Sequence, residues 1–136
     1  MERARPLALI GLVLTCPLTS SAQGAIPDSI ATRAAAATLR SDLRNFVTAQ
    51  EGYFANHGTY ARSLRQMGGS YQVSKGVTLV LLTSSDSGHT EIAIIDTVPG
   101  LVCGMFVGQL PPPLGTGTEG KPECRGPDGR SVSQGT

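Results

Sequence analysis

Between Asp28 and Gly58 the apolar residues recur at the spacing of an α-helix, and no other stretch of the chain constrains the fold as strongly. At about 100° per residue, Leu39, Leu43, Phe46, Val47, Gln50, Tyr53 and Phe54 fall within one arc of about 120°. Arg33, Arg40, Arg44 and Glu51 lie outside it. Pro27-Asp28-Ser29 supplies a helix start, Ala34 to Ala37 is a run of strong helix formers, and Gly58 after Asn56-His57 supplies a left-handed stop. The spacing predicts one amphipathic helix of about 25–28 residues, with Ile30 off the apolar arc. Such a helix needs a flat apolar surface on which to bury its stripe.

The remainder of the chain supplies that surface. Ser63 to Met67 reads as one short helical turn before Gly68-Gly69. Val77 to Thr83 is apolar and β-branched, Ser84 to Gly88 is turn chemistry, and Thr90 to Asp96 is a second strand, which together predict an antiparallel hairpin. After Pro99-Gly100, Leu101 to Val107 reads as a third strand. From Gly108 onward, Pro111-Pro112-Pro113, Gly115, Gly117, Gly120 and Pro122 interrupt any regular element, so a loop pinned by Cys124 is expected. Residues 125–136 contain Val132 as their only large apolar side chain and are expected to form a disordered tail. The expected fold class is α+β: a long N-terminal helix packed on a three- to four-stranded antiparallel sheet, with a disulfide-bounded C-terminal loop, in one domain over residues 23–124.

Residues 1–22 read as a secretory signal peptide. Glu2, Arg3 and Arg5 precede the apolar run Leu7 to Leu14, and Ser20-Ser21-Ala22 supplies small residues for cleavage, with a second acceptable cut after Gly24. The run is far short of the roughly 20 residues that span a bilayer, so no stable membrane insertion of the mature chain is expected. Val13-Leu14-Thr15-Cys16 loosely fits a lipidation signal, but Thr15 stands where Gly or Ala is usual and Pro17 follows at once. Of the three cysteines, Cys16 lies in the signal, which leaves Cys103 and Cys124 to pair in an oxidising compartment, periplasmic or extracellular. Losing Glu2, Arg3 and Arg5 from the eleven basic and ten acidic residues leaves nine of each. A neutral chain argues against nucleic acid as a partner, since phosphate neutralisation needs a basic excess.

Few residues carry chemistry. His57 falls at the helix end, where a cation suits the dipole. His89 falls at the hairpin turn, where Asp86, Ser87 and Glu91 offer a weak oxygen set for calcium. No Gly-x-Ser-x-Gly, free-cysteine or Ser-His-Asp arrangement is present, and an enzyme is not expected. No cofactor is expected either. Arg33, Arg40 and Arg44 share one azimuth on the helix and form a candidate docking surface for an acidic partner.

The run Leu43-Arg-Asn-Phe-Val-Thr-Ala-Gln-Glu51-Gly-Tyr53-Phe54-Ala-Asn-His-Gly58-Thr59-Tyr60-Ala-Arg-Ser63-Leu64 resembles the end of the long helix in type IV pilin and pseudopilin heads. The later order of Gly76-Val77 opening a strand, a hairpin, Cys103, Gly108 and a closing Cys124 is similar as well, so the resemblance covers about Ala34 to Cys124. It implies an exported structural or interaction protein of the cell envelope whose partners are pilus or secretion-system components. The residues give their own reason for this run: Gly58 ends the helix and Thr59 turns the chain, so Tyr60 is expected to fold back on Tyr53 or Phe54 to seal the helix end. Polymerising members carry a Gly before Phe-Thr-Leu-Ile-Glu and an apolar half-helix. Neither is found here, so a head that does not polymerise by itself is expected. The alternative reading is a soluble periplasmic module binding a small ligand or calcium. Intact-mass analysis of the exported protein should show a chain beginning at Gln23 or Ala25; a chain beginning at Cys16 with acyl groups attached would overturn the export reading.

Overall fold

The protein is described here from a computed structural model covering residues 29–134. The expected signal peptide, its cleavage junctions and Pro27-Asp28 lie outside the described residues. Helix α1 spans Ile30–His57, 28 residues. It starts where Ser29 Oγ accepts from the Thr32 amide at 3.1 Å, which satisfies one of the helix's orphan donors. It stops at Gly58, whose φ of 70° lets its N–H reach the Phe54 carbonyl at 2.8 Å. Ile30 is exposed, as its position off the apolar arc implies. A 3₁₀ turn follows at Leu64–Met67.

Four strands, β1 (Val77–Ser84), β2 (His89–Ile95), β3 (Val102–Val107) and β4 (Glu123–Arg125), form one antiparallel sheet in the order β1-β2-β3-β4. Helix α1 lies across β2, β3 and β4. Leu39, Leu43 and Phe46 on the helix are fully buried, together with Ala93, Cys103 and Met105 on the facing strands. Burying each of the three large helix side chains contributes about 1.5–3 kcal/mol. The mostly buried side chains of β1, Val77 and Leu79, meet Ala61 and Met67 of the connecting segment in the same core.

Cys103 and Cys124 face each other across β3 and β4 and form the disulfide, with Cα atoms 4.0 Å apart. The Pro/Gly-rich loop between them folds over the outer face of the sheet. There Gly104 makes room for it, because a Cβ at that position would stand 2.6 Å from Pro113 Cγ. Arg125 holds the loop through the Leu114 carbonyl at 3.2 Å and Thr116 Oγ1 at 3.0 Å.

The expected disordered tail needs correction over residues 125–134. The chain turns back through Gly126-Pro127-Asp128-Gly129, with the Gly129 amide donating to Gly126 at 2.9 Å, Pro127 at the second turn position and Arg125 bridging Ser131. Val132 is then buried, and its amide donates to the Cys124 carbonyl at 2.9 Å. One apolar anchor together with main-chain pairing suffices where composition alone suggested none. Replacing Cys103 by Ser should lower stability by roughly 2–4 kcal/mol, several degrees in Tm, and mapping under non-reducing conditions should recover a Cys103–Cys124 peptide pair.

Candidate functional site

The three arginines of the expected docking surface do not share an environment. Arg33 and Arg44 are exposed, whereas only 6% of Arg40 is accessible. Arg40 Nη2 donates to the Val132 carbonyl, and Nε has no partner among the described residues. The candidate docking surface is therefore corrected at Arg40: the returning C-terminal segment covers this middle member. Burial pulls the Arg40 guanidinium below its ordinary pKa; Glu123 opposes this and neighbouring Arg44 adds to it. Ala37, Arg40, Arg44 and Gln134 line a pocket of about 190 Å³.

His89 is likewise not at a solvated turn. Strand β2 begins at this residue, and the period of two places His89, Glu91, Ala93 and Ile95 on the face under the helix. His89 Nδ1 and Glu91 Oε2 share a hydrogen bond of 2.7 Å, with both side chains fully buried. Phe46 meets the imidazole edge-to-face at 5.9 Å and Tyr60 at 4.8 Å. His89 Nε2 and Glu91 Oε1 have no partner among the described residues. Desolvation raises the Glu91 pKa, and the hydrogen bond and charge of His89 act against it. Burial also pushes Tyr71 up, with contributions from Asp42 and Glu91. The pair is fully buried, with the Phe46 and Tyr60 rings packed edge-on against the imidazole.

The oxygen set proposed from sequence is not assembled. Asp86 accepts from Thr59 at 2.9 Å on the surface, while Glu91 points into the core. Among the described residues no group of three or more His, Cys, Asp or Glu side chains converges on one point. At the helix end Tyr60 packs on Phe54 at 4.8 Å and donates to Glu51 at 2.9 Å, while Tyr53 stacks on His57 at 3.9 Å. Tyr53 and His57 also line an open cleft of about 330 Å³ with Gln66 and Met67, at the low end of the range for small-molecule sites. On the outer sheet face, Val80, Leu82 and Ile94 form an exposed apolar strip beside the covering loop.

Three buried polar groups lie on α1; the sequence placed Arg40 on the candidate docking surface and assigned no partner to Asp42 or Gln50. Asp42 accepts from the Ser74 amide at 3.0 Å and from its hydroxyl at 2.9 Å. Gln50 donates to the Ala61 carbonyl at 3.0 Å and accepts from its amide at 2.8 Å. Arg40 is the third. Compared with known proteins, the chain matches no family model, and no curated protein matches it significantly.

The raised Glu91 pKa sets a sign. The fold favours the protonated carboxyl, so this contribution is complete below the ordinary carboxylate range and is lost as pH rises through the raised value. Glu91→Gln should therefore be more stable than the natural protein at about pH 8, by on the order of 1 kcal/mol or a few degrees in Tm, and the gap should close towards about pH 4. Thermal melts across that range measure it. A variant less stable at about pH 8 would mean that the ionised pair supports the fold.

Proposed function

We propose that this chain is an exported, pilin-like structural or interaction protein of the cell envelope that acts by presenting a surface to a protein partner and does not polymerise by itself. The observation that carries the reading is the long helix laid across an antiparallel meander whose last strand is tied to the third by a disulfide. This is the arrangement implied by the pilin and pseudopilin resemblance. The Tyr60–Phe54 contact at the helix end, within the run that carries the resemblance, is consistent with it. A disulfide suits an oxidising compartment, and no described helix is long and apolar enough to cross a membrane.

The partner surface in this reading is the outward side of α1 around Arg33 and Arg44, with Arg40 beneath it. The partners implied by the resemblance are pilus or secretion-system components. Photo-crosslinkers placed at positions 33 and 44 in living cells should capture envelope proteins of such assemblies, and electron microscopy of the purified mature protein should show no fibres. Homopolymeric fibres, or crosslinks confined to proteins outside the envelope, would overturn the proposal.

A further inference from the structure

Arg40 places a charged guanidinium where little supports it. Burial of a charge is tolerated when hydrogen bonds and an opposite charge compensate. Here one carbonyl, that of Val132, accepts from Nη2. Among the described residues Nε is buried without a partner and no salt bridge includes Arg40, although the charge of Glu123 acts on it from further away. Arg44 stands one turn further along the same side, and like charges four residues apart destabilise a helix. Arg40 seats the returning segment through Val132, but Arg44 adds a second positive charge beside it with no salt bridge among the described residues. An anion between them reverses the sign of that interaction.

The space for such an anion is present. The pocket lined by Ala37, Arg40, Arg44 and Gln134 has a volume of about 190 Å³ and no acidic residue in its lining. It is below the roughly 300–1,000 Å³ of pockets that enclose drug-sized ligands, so it suits one small charged group with a short carbon stem. Guanidinium nitrogens are directed in a planar fork that matches the two oxygens of a carboxylate. The Gln134 side chain adds an amide that can donate to an oxygen. With one Nη2 hydrogen engaged by Val132, the remaining N–H groups of Arg40 and those of Arg44 are left to receive the two oxygens of a carboxylate.

We infer that the pocket between Arg40, Arg44 and Gln134 binds a carboxylate group, supplied either by a free short-chain acid or by an acidic side chain of a polypeptide. The inference goes beyond the pilin-like reading and does not depend on it, because it requires only a carboxylate and not an envelope assembly.

The test is a titration of the isotopically labelled mature protein, followed by NMR, with acetate, succinate, inorganic phosphate and a short glutamate-containing peptide, each at constant ionic strength. Acetate, succinate or the peptide should give saturable shifts of the Ala37 and Arg44 amides, the Arg40 Nε–H and the Gln134 side-chain amide. Saturation by the small acids identifies a free acid as the natural ligand class; saturation by the peptide alone identifies an acidic polypeptide. Because Arg40→Ala risks the fold, the deciding variant is Arg44→Ala at the exposed position, which should keep its native spectrum and bind about tenfold more weakly. Shifts that never saturate, equal affinity in Arg44→Ala, or saturation by phosphate with every carboxylate silent would each overturn the inference.

Discussion

Helix α1 buries more than an apolar stripe, and the polar groups along the borders of that stripe hold the rest of the chain in place. Asp42 receives both donors of Ser74, Gln50 exchanges two hydrogen bonds with the Ala61 backbone, and Arg40 donates to Val132. Each partner lies in a connecting or terminal segment outside the four strands. A buried polar group left unmet costs about 1–3 kcal/mol, so these contacts are specific. A segment displaced from its seat leaves a polar atom in the core without a partner. The Ala61 carbonyl also accepts from Ser84 at 3.0 Å, so the helix, the connecting segment and the end of β1 meet at one backbone group.

The sheet beneath is treated differently on its two faces. Its inner face is small near the helix, with Ala93 opposite Cys103, which lets the helix approach closely. Its outer face is divided. The loop 108–122 covers β3 and β4, held by Arg125, while Val80, Leu82 and Ile94 on β1 and β2 remain exposed. Strand β1 is an edge, and its register shifts between Leu81 and Thr83. A bulge of this kind twists an edge strand away from the flat geometry that invites pairing with other chains. The shift also turns Ser84 back towards the core, where it meets Ala61.

The helix and hairpin were legible because their signals are periodic and local. Leu39, Leu43 and Phe46 repeat at helical spacing, and Gly58 stops the helix by a conformation that glycine adopts freely. The faces of β2 were not legible. Thr90, Ile92 and Ile94 form the more apolar set, yet the structure turns His89, Glu91, Ala93 and Ile95 inward, because His89 and Glu91 satisfy one another and Ala93 admits the helix. The returning segment 125–134 was hidden for a related reason. Its stability comes from main-chain pairing with β4 and from the demand of Arg40 for an acceptor, and neither is written in the local composition. Of the three arginines, the sequence located a shared azimuth but could not show that a distant segment would cover one of them.

The Arg40–Val132 contact joins residues 92 positions apart. A chain made from its N-terminus therefore completes the helix and all of β1, β2 and β3 long before the acceptor for that guanidinium exists. Until Val132 emerges, the helix carries on its flank a cation whose acceptor has not yet been made. Closure of this border consequently waits for the segment 125–134, which arrives as the cover for a charge laid down on the helix.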